Sequence, residues 1–380
     1  MSEKFKMEIK KVKALGLMSG SSLDGVDAAL ISTDGVDVYE CLGKITVPYE
    51  DELRDKIAAL TAQDAPETSD KLLQTEAEMT RFHAEAALEL MADCGEKADV
   101  IGFFGHTLVH DPQKHYNLQI GDGQLLADIC QTRVVNNFAA ADLMAGGQGA
   151  PLTSVFHNAL LADLEKPAVV LNIGGVTSLT WIGNNGEMLA FDTGPGNAPI
   201  NDWVMKHAGQ HMDYNGRLAI TGQINGQILV ALMKHKYFAQ YPPKAVDRNA
   251  FRDKLEHLEG LSLEDGAATA TAFVAESIVY AMAMYLPAAP KTVIVSGGGA
   301  RNPTLMRFLK ARLENIELKT SEDLGFDCDA AEAAAFAFLA VRRLYNMPAS
   351  FPETTGVPEP ISCGSLFLPQ TGNEVLDKKA

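Results

Sequence analysis

The sequence predicts a mixed α/β fold built from two duplicated halves that face each other across a cleft. Three observations predict it. A Gly-rich hairpin opens each half, over residues 14–30 and 169–181, and each reads as an apolar strand, a turn of small residues and a second strand. A turn signal follows each at hairpin distance, Asp34-Gly35 in the first half and Asn185-Gly186 in the second. Strands and helices then alternate, which indicates layered α/β packing, while the opening meanders make the sheets mixed rather than purely parallel.

In order, strands are expected over 13–18, 26–32 and 36–45, then helices over 51–62 and 69–92. In the second helix Met79, Phe82, Ala86 and Leu90 recur at three-to-four spacing, and Gly95 is its stop. A buried strand is expected over 100–104, a helix over 125–130 and a strand over 134–136. The second half repeats the plan, with strands over 168–173, 178–181 and 188–191, several helices, a strand over 292–296, a glycine turn and a helix from Pro303. The boundary falls near 136–140. It gives a first domain over 1–137, a second over 138–346 and a Pro/Gly-rich tail over 347–380, expected to wrap the surface.

At 380 residues the chain has the length of two ordinary domains, and 47% hydrophobic residues supply their cores. A net charge of −17 argues against nucleic acid or an anionic membrane as partner, since either needs a basic patch. It leaves a nucleotide open, because backbone N–H groups and a metal hold phosphates locally. The cysteines are Cys41, Cys94, Cys130, Cys328 and Cys363, an odd count with no CxxC pair. They read as a reduced, cytoplasmic chain without a zinc site or disulfide framework. Residues 1–13 are charged and lack an apolar run of signal-peptide length. The longest apolar stretch, 267–290, is interrupted by Glu276 and reads as a buried helix rather than a membrane span.

In the first hairpin, Gly20, Ser21, Ser22 and Gly25 offer small side chains and open N–H groups to phosphate oxygens. Asp24 and Asp27 supply oxygen ligands for Mg²⁺. The same residues also suit a plain tight turn. Gly174 and Gly175 form a second phosphate candidate, whose weight comes from matching the first across a pseudo-twofold. Asp192 stands at a strand end inside a glycine turn, where a cleft opens, and is a candidate general base; an Asx-turn is the competing reading. Gly297, Gly298 and Gly299 let a flat adenosine lie on backbone, and Asn302 before Pro303 is a good helix N-cap. The spacing is not GxGxxG, and no acidic residue follows at the required distance, which disfavours a dinucleotide. The loop over 144–151 either closes on a ligand or simply enters the helix whose apolar stripe is Val155, Phe156, Ala159 and Leu160. Asp329-Ala330-Ala331-Glu332 has a capping-box pattern. His106, His110 and His115 lack the companions of a metal site.

With those residues in view, the chain resembles the anhydro-N-acetylmuramic acid kinases, a branch of the actin/sugar-kinase superfamily, whose two duplicated RNase H-like domains enclose a cleft. The matched segments are 16–27, 119–121, 145–151, 171–175, 192–197, 243–244 with 247–248, 264–269 and 296–299. The resemblance implies ATP and Mg²⁺ as cofactors and 1,6-anhydro-N-acetylmuramic acid as substrate. Its O6 is phosphorylated while water opens the anhydro bridge at C1, giving N-acetylmuramate 6-phosphate for cell-wall recycling. On that basis Asp192 matches the base that activates the water. Gly20, Ser21, Ser22, Leu23, Asp24, Gly25, Val26 and Asp27 match the nucleotide phosphate segment. Gly105, Thr107, Gly147, Gln148, Asn197 and Glu332 become sugar contacts. The family is often dimeric, which implies a homodimer.

The chain departs from the family pattern at Phe104 and His106, where His and Gln are usual. It departs again at Asn137 and Ala139, where Asp and Arg are usual, and at Ser178, where Asn is usual. Loss of an arginine at 139 removes a bidentate partner for a carboxylate such as the lactyl group. Two other readings stand beside the first: a kinase of an anhydro sugar without that carboxylate, such as levoglucosan, and a nucleotide-binding sensor or scaffold without turnover.

Overall fold

The structure, a computed structural model, describes residues 9–20, 23–63, 66–328 and 330–370. The chain opens with an antiparallel meander of β1 (Val12–Met18), β2 (Gly25–Thr33) and β3 (Val38–Pro48). Gly35, at a φ of 82°, turns the chain between β2 and β3, and Asp34 Oδ1 accepts from the Val36 and Asp37 N–H groups at 2.8 and 2.9 Å. Helices α1 (Asp51–Thr61) and α2 (Asp70–Cys94) follow; α2 starts at Ser69, whose hydroxyl accepts from Leu72 N–H, and stops at left-handed Gly95. β4 (Val100–Phe103) runs parallel to β1. β5 (His106–Asp111) and β6 (Tyr116–Ile120) form a separate two-stranded arm. α3 (Gly123–Cys130) then leads to β7 (Val134–Asn136), parallel to β4.

Helices α4 (Phe138–Met144) and α5 (Ser154–Leu160) connect to a second meander of β8 (Ala168–Ile173), β9 (Val176–Ile182) and β10 (Met188–Pro195). Helices α6 (Ala198–Ala208), α7 (Gly226–Leu232) and α8 (Leu263–Tyr285) follow. β11 (Thr292–Ser296) lies parallel to β8, and α9 (Pro303–Arg312) leads to β12 (Glu317–Thr320), parallel to β11. Helix α10 (Ala330–Leu344) and strand β13 (Ser365–Phe367) complete the fold.

The orders β3-β2-β1-β4-β7 and β10-β9-β8-β11-β12 are one arrangement used twice: three antiparallel strands, then two parallel ones. β13 adds antiparallel to β7 as the sixth strand of the first sheet. The tail expected on the surface therefore supplies a strand. Helix α10, beyond the expected boundary at 137/138, likewise packs on β1, β2 and β4 of the first sheet. The arm, β12 and α4 are additions to the expected elements; each is short, and the arm's polar residues mask its alternation.

Side chains alternate across the first sheet. Leu15, Leu17, Val26 and Leu30 join the core beneath α1, α2 and α3, whereas Ala14, Met18, Ala29 and Ile31 join the one beneath α10. Helix α8 lies in the core of the second half. It is the one helix among the described residues long and apolar enough to cross a membrane, and 72% of its most apolar window is buried inside the protein. Helix α10 rests directly on backbone: a Cβ at Gly16 or Gly102 would strike the helix at Ala333 or Phe336. We expect Gly102→Val to force α10 off the sheet and destabilise the protein by about 3 kcal/mol, read as a lowered denaturant midpoint.

Candidate active site

Strand β10 ends in a bulge, where its register against β9 shifts between Asp192 and Gly194. A bulge re-aims the side chain it carries. Asp192 is only 5% exposed there. Residues 244–246 run along this edge: Asp192 N–H donates to Lys244 O at 2.9 Å, and Val246 N–H donates to Asp192 Oδ2 at 2.9 Å. The Tyr237 hydroxyl donates to Asp192 O at 2.6 Å. The carboxylate thus binds a distant segment, and the Asx-turn alternative does not describe it. Burial pushes its carboxyl up to about 7, against the opposing pull of the Val246 N–H and the Lys244 charge. A carboxyl poised there exchanges a proton near neutral pH, the property a general base needs.

The same strand end is tied to the second glycine hairpin. Gly196 N–H donates to Gly175 O at 2.9 Å and Asn197 N–H to Gly174 O at 2.7 Å. The third glycine segment lies against this hairpin: a Cβ at Gly297 would strike Asn172 Oδ1, and one at Gly299 would strike Ile173. Gly298 is exposed, with Asn197 Nδ2 beside it. Asn302 is occupied as the N-cap of α9, accepting from Thr304 and Leu305 N–H at 3.1 Å each.

In the first hairpin, Leu23 N–H closes a turn on Gly20 O at 3.1 Å, with Leu23 at a φ of 59°. Ser21, Ser22 and Asp329 lie outside the described residues. Leu23 and Val26 bury their side chains in the first core, which leaves only their backbone to act at this turn. Gly25 lets β2 approach Val47 O of β3 closely. Asp24 is exposed, and Asp27 Oδ1 accepts from the Thr46 hydroxyl at 2.6 Å. Glu332, in the first turn of α10, meets both hairpins: its carboxylate accepts a hydrogen bond from the Asn172 side chain and feels the charge of Asp27. Desolvation first, then Asp27, pushes Glu332 up to about 7.

The expected sugar contacts fall into separate groups. Gly105 and Thr107 belong to the start of the arm, where Gln119 Nε2 donates to Thr107 Oγ1 at 3.0 Å. Gly147 and Gln148 belong to the loop before α5, held by Asp142, whose Oδ1 accepts from Gly149 N–H at 2.6 Å, and by Thr355 O. Arm and loop meet at His115 Nδ1 and Gly147 O, 3.4 Å apart, and a cavity of about 270 Å³ opens beside them, lined by His115, Asn117, Asn137 and Met144. The arm also reaches the second half, where His110 N–H donates to Asp247 Oδ2 at 3.4 Å. Asn197 and Glu332 sit instead with the glycine hairpins. The structure adds Asn172, Tyr237, Lys244 and Val246, none singled out individually above. It also adds a buried chain in which Tyr49 donates to Ser19, and Ser19 and Thr61 hold the two ring nitrogens of His106 at 3.3 Å each. Asn172 carried a usable signal, a polar residue ending an apolar strand before Gly174.

Two sheets of one repeated order, a glycine hairpin in each and a buried carboxylate beside the second hairpin form the arrangement expected of a sugar-kinase-like phosphotransferase. The sequence pattern of the family described as anhydro-N-acetylmuramic acid kinase matches residues 12–369. The protein so named from Paramagnetospirillum magneticum is 46% identical over 360 residues, covering 94% of this chain and 99% of its own. Its counterpart from Rhodospirillum rubrum is 45% identical over 357 residues, covering 94% of each. Component A of the Acidaminococcus fermentans (R)-2-hydroxyglutaryl-CoA dehydratase, a solved structure, covers 87% of this chain at 14% identity and a TM-score of 0.48. The chain belongs to the anhydro-N-acetylmuramic acid kinase family.

Replacing Asp192 by Asn should lower kcat about 10³-fold while leaving nucleotide affinity unchanged, measured by ADP release and by calorimetry. A base at Asp192 acts as its carboxylate, so kcat/KM of the unmodified protein should rise with pH through about 7 and fall below it.

Proposed function

We propose that this chain is an ATP-dependent kinase of 1,6-anhydro-N-acetylmuramic acid, producing N-acetylmuramate 6-phosphate and ADP. The observation that carries the reading is Asp192, buried at a strand bulge beside the second glycine hairpin with its carboxyl near neutrality. As base, Asp192 takes a proton from the water that attacks C1 of the anhydro sugar. Cleavage of the C1–O6 bond frees O6 to take the γ-phosphoryl group. The backbone of Gly20, of 23–27 and of 174–175 cradles the phosphates, and 297–299 receives the adenosine. The arm and the 147–149 loop hold the sugar. All five cysteines are free, which supports a reducing compartment such as the cytoplasm.

The residues present fit Mg²⁺. Asp27 and Glu332 face each other closely enough for the charge of one to hinder ionisation of the other, a pair that a hard divalent cation would neutralise. Bound there with phosphate oxygens, the ion would offset the charge that develops on the transferred group. Asp24, exposed in the same hairpin as Asp27, is available through water. Glu332→Gln should raise the Mg²⁺ concentration for half-maximal turnover at least about tenfold, with melting temperature little changed.

The decisive assay is Mg²⁺-dependent ADP release with 1,6-anhydro-N-acetylmuramate, with levoglucosan and with no sugar. Turnover on the amino sugar is expected. Turnover on levoglucosan alone would move the substrate, and nucleotide binding without any turnover would leave a sensor.

A further inference from the structure

Lys244, buried to 3% exposure, is a lysine with no carboxylate bonded to it among the described residues. Its Nζ lies 4.5 Å from the ring centres of both Tyr237 and Tyr285 and 5.9 Å from that of Phe191, and donates to Tyr237 O at 3.3 Å. Aromatic faces and one carbonyl compensate only part of the lost hydration of an ammonium. A methionine would fill this cage without that penalty. The charge therefore has a use, and the backbone shows where. Lys244 O accepts from Asp192 N–H, Val246 N–H reaches Asp192 Oδ2, and the same Tyr237 that forms the cage donates its hydroxyl to Asp192 O.

We infer that Lys244 is a positioning residue for the reaction: caged by Tyr237, Tyr285 and Phe191, it supplies the positive charge against which buried Asp192 stays ionised, and it holds the 244–246 segment against β10. The inference rests on Asp192 being the base proposed above. The charged and titratable groups that face Asp192 are Lys244, on the crossing segment, and Tyr237, on the turn before it. Burial holds the Tyr237 hydroxyl well above its ordinary range, so it stays neutral and Lys244 alone provides charge. Burial also brings the Lys244 ammonium down to about 8, which leaves it charged at pH 7. Removing an opposite charge raises a carboxyl further, so the acidic limb of the activity profile must move to higher pH.

The test compares Lys244→Met, Lys244→Arg and Asp192→Asn by the pH profile of kcat/KM, with ATP affinity and melting temperature as controls. Lys244→Met should move the acidic limb up by about one pH unit, and Lys244→Arg should leave it near its original position. Should Met unfold the cage, Lys244→Gln carries the same test. A folded Met or Gln variant whose limb stays in place, whatever its kcat, overturns the inference while leaving Asp192 as base. An Asp192→Asn variant that turns over normally overturns both.

Discussion

Helix α10 seated on the bare backbone of Gly16 and Gly102 is the contact on which the rest of the molecule depends. Almost the whole chain separates α10 from β1, yet any side chain at either glycine would strike the helix backbone. The close approach fixes the height and rotation of α10. Its apolar face meets Ala14, Met18, Ala29 and Ile31, and its Phe338 packs edge-on against Phe156 of α5 at 5.8 Å. One helix therefore ties the first sheet to the helix that precedes the second. The same seat sets the first turn of α10 between the two hairpins, so Glu332 meets Asn172 from one sheet and Asp27 from the other.

Two carboxyls are raised by burial, Asp192 and Glu332, and their neighbours differ. Asp192 is offset by a backbone N–H and a caged ammonium, and no acidic group among the described residues opposes it. Glu332 is offset by the Asn172 amide and opposed by Asp27. A carboxyl whose nearby charge is positive returns readily to its ionised form and suits proton transfer. One crowded by a second carboxylate suits a cation. The two environments fit the two roles proposed for these groups.

The duplicated meanders were legible because hairpin turns and period-two apolar strands are local signals: Asp34-Gly35 and Gly186 turn the chain where the sequence places them. The glycine segments and Asp192 were legible for the same reason. Lys244 was not, because its meaning lies in three aromatic rings from separate elements. Glu332 shows the limit from the other side. Its capping-box spacing depends on Asp329, which lies outside the described residues; its partners come from two other strands, and no local pattern encodes a contact with Asn172 or Asp27. The arm and β13 escaped because strands of a few residues lack a period to read.

The departures from the family pattern also become intelligible through packing. Phe104 stacks on Phe336 of α10 at 4.5 Å, and Phe336 in turn lies 5.3 Å from Phe138. Ala139, beside Phe138, is 6% exposed in the same core. An aromatic ring at 104 and a small residue at 139 thus belong to one apolar cluster, extended toward the cleft. His106 is bound on both nitrogens, and burial lowers it to about 4, so it is neutral at pH 7 and joins Ser19 of the first hairpin to Thr61 of α1. Three of the five altered positions are accounted for inside the fold: two thicken the seat of α10, and one braces the first glycine hairpin. The remaining two differ. Asn137 lines the cavity beside the arm, and Ser178 pairs with Asp192 across the β9–β10 ladder. The two polar changes therefore lie apart, one at the cavity beside the arm and one across the ladder from Asp192, while the glycine hairpins keep their glycines.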